Sequence, residues 1–309
     1  MKLNNIELTF ENFANEMAKL KNEKHFDYLV TIIGEDFGEE GLGCIYILEN
    51  TQNNERCSVR TIAKKVDGSD VIPTVTNLWK AADLLEREVF DFVGIKFLGH
   101  PDMRRLFLRT DFVGHPLRKD FDMSPEANKF PLTDEPEDDF TVEYSLDKDG
   151  HLVETKHRLF EEDEYVVNIG PNHPSTHGVL RLQTVIDGET VKRIYPHLGY
   201  IHRGIEKMWE GMTYPQTLAL TDRLNYLSAM MHRHALVGVI EEAMGIELSD
   251  RIHYIRTIMD ELQRIDSHLL FLGCTAQDLG ALTAFLYCMR DREHVLNVME
   301  ETTGGRLIM

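Results

Sequence analysis

The first third of the chain alternates between hydrophobic and polar residues in short runs. The segments YLVTIIG (28–34), GCIYILEN (43–50) and CSVRTIAKKV (57–66) are rich in β-branched residues and predict strands. Residues 78–92 instead repeat apolar positions with helical spacing. Several strands with one or two helices predict a small α/β domain.

After residue 164 the pattern changes. The segments YVVNIG (165–170) and VLRLQTVIDGETVKRIYP (179–196) predict strands, and the second folds back at Asp187–Gly188. From Tyr214 onward, helical periodicity dominates in three segments. Their marker residues are Leu220, Leu224, Leu227, Met231 and Ala235 in the first, Ile255, Met259, Leu262, Ile265 and Leu269 in the second, and Phe285, Met289, His294 and Val298 in the third. The predicted fold class is α+β: a small α/β domain, a short antiparallel sheet and a mainly helical bundle.

A strongly acidic interval separates these two regions. Between Phe121 and Glu164 there are 15 Asp or Glu and 4 Lys or Arg, including the run DEPEDD at 134–139. Such a composition buries little surface and predicts a solvated linker or surface strap. We therefore predict an N-terminal domain at 1–121, an acidic linker at 122–163 and a second domain at 164–309.

The last predicted helix runs into a Gly-Gly break in TGGRLIM, where the sequence stops. Three helices with apolar stripes require more packing partners than this chain supplies. We therefore expect the chain to be incomplete at its C-terminus.

Composition excludes several classes of protein. The formal net charge of −19 argues against nucleic-acid binding, because nucleic-acid-binding domains are usually basic. No apolar run approaches the ~20 residues that span a bilayer, and no signal-peptide pattern opens the chain, so we expect a soluble, cytosolic protein. The cysteines stand far apart, which predicts reduced thiols rather than disulfides or a cysteine metal site. They are Cys44, Cys57, Cys274 and Cys288.

The segment NIGPNHPSTHG (168–178) carries two histidines, His173 and His177, among prolines and glycines that predict a loop. Loops on rigid scaffolds often display reactive side chains. A metal site is not predicted. The run HRH at 232–234 lies in a predicted helix, where side chains at i and i+2 diverge, and no HExxH motif occurs. No phosphate-binding loop occurs either.

Two GHP turns, GHPDMRRLF (99–107) and GHPLRKDF (114–121), place His-Pro beside paired basic residues. One interpretation is turn chemistry with exposed surface charge. The other is a docking surface for an acidic or phosphate-bearing partner. The spacing alone does not separate them.

The second domain concentrates polar residues beside apolar stripes. The segment GYIHRGIEKMWEG (199–211) clusters charged residues, and LTDRLNYLS (220–228) places Asp222, Arg223 and Tyr226 on a predicted helix. Asp278 follows a helix rich in Leu and Phe, and a buried carboxylate there requires a partner. An imidazole is one available partner, and such pairs deliver protons.

These same stretches carry a family resemblance. The block EREVFDFVGIKFLGHPDMRRLFLRTDFVGHPLRKDF (86–121) resembles the C-type subunit of respiratory NADH:quinone oxidoreductase, complex I. The blocks NIGPNHPSTHGVLRL, GYIHRGIEK, TDRLNYLS, IRTIMDELQRIDSHLLFLG, DLGALT and TGGR are similar to the D-type subunit of the same enzyme. The order of C-type block, acidic linker and D-type block resembles the fused C/D subunit of some bacteria. D-type members continue well beyond the block where this chain stops.

The resemblance implies a quinone site. It assigns His177 and Tyr226 to the quinone headgroup, Asp278 to the histidine, and Arg223 to the vicinity of the terminal iron–sulfur cluster. That cluster belongs to a B-type partner subunit, so no metal is expected on this chain. The implied partners also include membrane-arm subunits, and the implied location is peripheral, at the cytoplasmic face of the inner membrane. The isolated chain is expected to be inactive.

Two departures from the family pattern stand out. Asn225 occupies a position that is commonly Asp, and Leu307 and Ile308 follow Arg306 where many members place a histidine. One alternative is the large subunit of a membrane-bound hydrogenase-related complex, but Asn225 and Ser228 occupy the positions of its cysteine ligands and cannot supply thiolates. The other alternative is a scaffold fragment without quinone chemistry.

Overall fold

A computed structural model of the chain describes residues 4–124, 139–173 and 178–306. Within these ranges the chain forms twelve strands and seven α-helices. The strands are β1 Asn4–Leu8, β2 Tyr28–Asp36, β3 Leu42–Asn50, β4 Glu55–Ile62, β5 Lys64–Val66, β6 Ser69–Pro73, β7 Lys96–Leu98, β8 Phe140–Leu146, β9 Leu152–Arg158, β10 Tyr165–Ile169, β11 Arg181–Asp187 and β12 Thr190–His197. The helices are α1 Phe10–Asn22, α2 Ala82–Val93, α3 Ile205–Glu210, α4 Tyr214–Thr221, α5 Ala229–Met244, α6 Asp250–Asp278 and α7 Leu282–Thr303. The predicted α+β class is confirmed.

The first sheet has the strand order β1-β4-β3-β2 and contains the predicted strand runs. Only the β1–β4 pair among these strands is parallel, and the others are antiparallel. Alternate residues of β3 point into the core, where Tyr46 and Leu48 are fully buried. Helix α1 covers them with Phe13 and Met17, which its i, i+4 spacing places on one face.

The second sheet has the order β5-β6-β7-β8-β9 and corrects the picture of an extended acidic linker. Strands β8 and β9 form an antiparallel hairpin inside the interval 122–163, and β8 pairs with β7. The hairpin is ordered because Tyr144 is buried in the first core, and the Gly99 N–H donates to its carbonyl at 2.8 Å. Residues 125–138, which hold most of the DEPEDD run, lie outside the described residues.

The third sheet, β10-β11-β12, is antiparallel and confirms the predicted hairpin. Asp187 pairs with Thr190, and Gly188 adopts a positive φ of 61° in the two-residue connection. Leu159, Phe160 and Val185 form a small core under this sheet.

The predicted helical region is confirmed, with one break. Helices α6 and α7 pack together around Met259, Leu296 and Met299, and α5 contacts α6. The first predicted stripe does not lie on one helix, however. Helix α4 ends at Thr221, a 3-10 turn spans Tyr226–Ser228, and α5 begins at Ala229. Leu224, a member of that stripe, is half exposed in the break.

The chain divides into two compact units, Met1–Gly204 and Ile205–Met309. The predicted domain boundaries at 121 and 164 follow the family blocks and not the compact units of the structure, so they stay a prediction. In the structure, residues 164–204 belong to the first unit. One reason is that the His202 ring stacks on Phe92, with ring centroids 4.8 Å apart.

Candidate functional site

Tyr226 lies on the 3-10 turn between α4 and α5, with 56% of its surface exposed. The turn begins at Asn225, whose side-chain oxygen accepts a hydrogen bond from the Leu227 N–H at 3.2 Å. Asn225, which departs from the family pattern, therefore has a local structural role as a cap. The prediction that Tyr226 lies within a continuous helix was wrong, since this cap and the preceding turn interrupt it.

Arg223 lies in the same break and is also exposed. Its guanidinium donates to the Ala219 carbonyl, one of the last carbonyls of α4. A cation at the C-terminal end of a helix is favourable, because the carbonyls there carry partial negative charge. This contact keeps the side chain along α4.

Asp278 is the last residue of α6 and is exposed, so the expectation of a buried carboxylate was wrong. It belongs to the same unit as Tyr226, and the Tyr226–Ser228 turn contacts α6. The pairs Arg256–Glu241 and His234–Asp260 fix an antiparallel register between α5 and α6.

His177, the predicted quinone histidine, lies outside the described residues, as do Leu307 and Ile308. His173 of the same loop is described and exposed. The roles predicted for His177, Tyr226, Asp278 and Arg223 therefore stay predictions.

Three further charge pairs in the Ile205–Met309 unit were not predicted from the sequence. Arg233 Nη2 lies 2.7 Å from Oδ2 of Asp222, which is fully buried. Asp266 is also fully buried, and Arg292 Nε lies 2.8 Å from its Oδ1, off the hydrogen-bond direction. Burial raises the pKa of Asp266, and the nearby Arg292 opposes this shift. The third pair is His234–Asp260, with 2.6 Å between Nδ1 and Oδ2.

A signal for these pairs exists in the sequence, because each charged residue sits near apolar residues within a predicted helix. The partners, however, are 11 to 26 residues apart and lie on different elements of the structure, with Asp222 in the turn after α4. The predicted helical position of HRH is confirmed, and the run separates into roles: Arg233 and His234 pair with carboxylates, while His232 Nδ1 is buried without a hydrogen-bond partner among the described residues.

The two GHP turns of the first unit prove to be structural. His100 is fully buried, accepts from the Asp102 N–H at Nδ1 and contacts the Asp83 carbonyl with Nε2. This arrangement fits the neutral imidazole, and burial lowers the pKa of His100. His115 contacts the Asp91 carbonyl at 3.0 Å and covers Gly94, where a Cβ atom would lie 2.6 Å from the ring.

The paired basic residues beside the first turn are not exposed positive ends. Arg104 bonds to Asp102, and Arg105 bonds to Asp91, with both arginine side chains only about one-tenth exposed. Arg105 also donates to the Phe112 and Gly114 carbonyls. The docking interpretation therefore loses its support at the first turn, since these guanidiniums are used inside the fold. At the second turn Lys119 is exposed, so both interpretations stay open there.

Asp91 is the centre of this network. One of its carboxylate oxygens accepts from three consecutive N–H groups, those of Leu106, Phe107 and Leu108, at 2.8–3.1 Å. The other accepts from Arg105 at 2.8 Å. A buried carboxylate is stable only when it is satisfied in this way. Asp91 thus fixes the loop that follows the first GHP turn.

A groove of about 780 Å³ lies between this loop and the end of β12. Gly199 lines it with a positive φ of 98°, and a Cβ atom there would lie 2.0 Å from the Phe107 carbonyl oxygen. Only glycine permits this close approach. Arg87, also in the lining, donates to the carbonyls of Arg104 and Arg105.

Two features are absent from the described ranges. No group of three or more His, Cys, Asp or Glu side chains there is arranged to hold a metal ion. No helix in those ranges combines the length and apolar character that a membrane span requires.

Known proteins resemble the chain along nearly its whole length. Residues 6–127 match the family model of the respiratory-chain NADH dehydrogenase 30 Kd subunit, and residues 278–309 match that of the 49 Kd subunit. The NADH-quinone oxidoreductase C/D subunit of Phocaeicola vulgatus is 55% identical over 98% of this chain and 58% of its own length. The C/D subunit of Bacteroides fragilis is 55% identical over 96% of this chain and 57% of its own. The second of the C/D subunits of Aquifex aeolicus is 40% identical over 96% and 52%.

The chain belongs to the family of fused C/D subunits of NADH-quinone oxidoreductase. The predicted resemblance is confirmed. The chain spans 58% or less of the length of each C/D subunit named above. The 30 Kd match covers nearly all of the first sheet, strands β5, β6 and β7 of the second sheet, and both GHP turns, and the 49 Kd match begins at Asp278.

Proposed function

We propose that this C/D chain is a peripheral-arm subunit of a proton-translocating NADH:quinone oxidoreductase and shapes the quinone headgroup site. In this proposal His177 and Tyr226 contact the headgroup, Asp278 supports His177, and Arg223 lies near the terminal iron–sulfur cluster. The cluster is held by a B-type partner subunit. Membrane-arm subunits are the other partners, and the complex sits at the cytoplasmic face of the bacterial inner membrane.

One observation carries the proposal: 55% identity to a named C/D subunit over 98% of this chain, with the quinone motifs retained. The geometry of the Ile205–Met309 unit supports it. Tyr226 is exposed on a capped turn, available to a ligand, and the buried Asp222 lies next to that turn. An exposed tyrosine on an ordered turn suits ligand binding better than core packing.

The residues provide the proton chemistry that quinone reduction needs. A quinone that gains two electrons becomes a strong base and takes up two protons to form the hydroquinone. The Tyr226 phenol and a protonated His177 imidazole can each donate one proton to a quinone oxygen. A carboxylate such as Asp278 favours the cationic form of the histidine before transfer.

The electrons come from outside the chain. The iron–sulfur cluster of the partner subunit supplies them when the complex is assembled. Cys44 and Cys57 suit no such role, since both are buried, and burial raises the pKa of the Cys57 thiol to about 11. The positive charge of Arg223 near a cluster would favour its reduced form.

The test is His177→Ala in the full-length chain within its native membrane complex, with His173→Ala as the matched control in the same loop. We expect quinone turnover to fall about 100-fold in the first variant, because general acid catalysis of this kind contributes 10²–10⁴-fold. We expect the control to stay within about twofold of the parent, as surface substitutions usually do. Cluster reduction, followed by electron paramagnetic resonance, should be intact in both.

Tyr226→Phe tests the second proton donor. It removes only the hydroxyl of a side chain that is 56% exposed, so assembly should be unaffected. We expect turnover to fall about tenfold or more, the loss of one hydrogen-bonded proton donor. Parental turnover in both His177→Ala and Tyr226→Phe would leave only the scaffold alternative.

A further inference from the structure

Asp222 is a buried charge next to the exposed turn. It caps the C-terminal end of α4 and is completely inaccessible to solvent. Its Oδ2 accepts a hydrogen bond from Arg233 Nη2 at 2.7 Å. The same nitrogen donates to the Leu218 carbonyl of α4 at 3.2 Å. One guanidinium on α5 thus holds both the last turn of α4 and the residue that follows it.

This pair closes a short loop. Asp222 immediately precedes Arg223, and Arg233 lies in the second turn of α5, so residues 223–228 are bracketed between two joined points. Of the bracketed residues, Arg223, Leu224, Asn225 and Tyr226 are all exposed, and the turn at 226–228 also contacts α6. Their internal bonds are local: Ser228 N–H to the Asn225 carbonyl at 3.0 Å, and the Asn225 cap.

The energetics favour a positioning role over a general stabilising one. A buried ion pair adds little net stability, because desolvation offsets its Coulomb attraction. What it does supply is a fixed geometry, since any displacement that separates the partners takes the Arg233 charge away from a buried carboxylate. The position of the exposed turn therefore depends on the Asp222–Arg233 pair beneath it.

We propose that the Asp222–Arg233 pair is a positioning latch that fixes the 223–228 turn and with it the Tyr226 phenol. The inference rests on the proposed function for its effect on quinone. The effect on the turn itself is independent of any ligand. Asp222 and Arg233 are positioning residues, because they act through the turn.

The experiment uses the full-length chain in its native membrane complex. Arg233→Met leaves the Asp222 carboxylate without its partner, Asp222→Asn removes the charge with little change of shape, and Arg233→Lys retains a cation. Glu241→Gln is the matched control. It breaks a pair of equal length, 2.7 Å to Arg256, at the other end of α5.

Two measurements are made on each variant. The first is hydrogen exchange of the peptide covering residues 223–228. We expect it to become about tenfold faster in Arg233→Met and to stay at the parental rate in Glu241→Gln. The second is steady-state kinetics with a short-chain quinone. We expect KM to rise about tenfold in Arg233→Met, because a small misplacement of a binding group costs 10–100-fold, and most of this should be recovered in Arg233→Lys.

The double variant Asp222→Asn/Arg233→Met tests whether the two residues act as one unit. We expect its KM to be no higher than that of Arg233→Met alone, since partners in one pair give non-additive effects. If the complex that contains Arg233→Met does not assemble, hydrogen exchange and KM are compared in Asp222→Asn and Arg233→Lys instead.

The outcomes separate the latch from the proposed function. Parental exchange rates in Arg233→Met and Asp222→Asn overturn the latch whatever the kinetics. Faster exchange with parental KM, while Tyr226→Phe impairs turnover, overturns the link between the turn geometry and quinone. Faster exchange in a complex where Tyr226→Phe and His177→Ala are both fully active supports the latch and overturns the proposed function.

Discussion

In the Met1–Gly204 unit several charged residues of the 86–121 motif are turned inward. Asp91 accepts four hydrogen bonds, His100 is completely buried, and Arg105 bonds to a carboxylate and three carbonyls. In the Ile205–Met309 unit the motif residues Arg223, Tyr226 and Asp278 are exposed.

The comparison shows that two motifs of similar polarity have opposite uses. An internally satisfied network specifies a loop conformation, and its residues have no bonding capacity left for a ligand. An exposed residue on an ordered turn can still form hydrogen bonds to a ligand, and the buried charge in this region belongs to a neighbouring residue, Asp222. The two uses differ in the burial of the side chains, which the sequence motif does not reveal.

The largest effect should come from breaking the inward network at Asp91. Asp91→Ala leaves three N–H groups and the Arg105 guanidinium without their acceptor, so we expect a loss of about 3–5 kcal/mol in unfolding free energy. Urea unfolding can be followed by Trp79, a buried residue of the first unit, in a Trp209→Phe background. The control Glu16→Ala breaks the exposed pair with Lys19 and should cost no more than about 0.5 kcal/mol. A small loss for Asp91→Ala would mean that the motif is not mainly structural.

The second prediction concerns pH. Burial raises the pKa of Glu86 to about 8, against the hydrogen bonds from Thr74 and Val75 that favour the charged form. The folded state therefore holds a proton that the unfolded state releases above about pH 4.5. Its contribution to stability is fully present below pH 4.5 and falls as pH rises toward 8.

Glu86→Gln should remove this dependence. The amide can still accept from the Val75 N–H and can donate to the Thr74 hydroxyl, so the packing is retained. Relative to the parent, the variant should gain up to about 3 kcal/mol between pH 5 and pH 8. Urea unfolding across this range measures it. Parallel stability curves for the two proteins would contradict the buried, protonated state of Glu86.

The smallest effect should come from the exposed turn itself. Asn225→Asp keeps the oxygen that accepts from the Leu227 N–H, so unfolding free energy should change by less than about 0.5 kcal/mol. Asn225→Leu removes the cap and should cost about 1 kcal/mol. Trp209, in a Trp79→Phe background, reports on this unit. Equal costs for the two variants would show that the cap bond is unimportant.

The fold was predicted well where local patterns decide it. The β11–β12 hairpin follows from alternation on both sides of Asp187–Gly188, and α6 and α7 follow from long helical periodicity. The break between α4 and α5 was missed because residues 216–235 contain no proline or glycine and their apolar spacing continues across it. The buried Asp222–Arg233 contact and the Asn225 cap lie at this break. An ion pair between residues of different elements does not change the hydrophobic periodicity of the sequence, so the pattern could not predict it.

The β8–β9 hairpin was missed for a related reason. Its acidic composition resembles a linker, yet Val142 and Tyr144 face a core formed by residues far earlier in the chain. The site residues came from the family blocks, and their exposure could not be read from spacing. Asp278 looked buried because a Leu- and Phe-rich helix precedes it, but several residues of that helix end, Phe271, Leu272 and Leu279, are themselves exposed.

The contact of His202 with Phe92 and Phe107 has a consequence for assembly. These rings join a C-type block to a D-type block, so their docking in this chain is an intramolecular event. Tethering sets the local concentration of one surface around the other at the order of millimolar, far above what two dilute polypeptides would experience. Translation of one message also delivers the two blocks in equal numbers. In this chain the association of the two blocks is therefore insensitive to how much of the chain the cell produces.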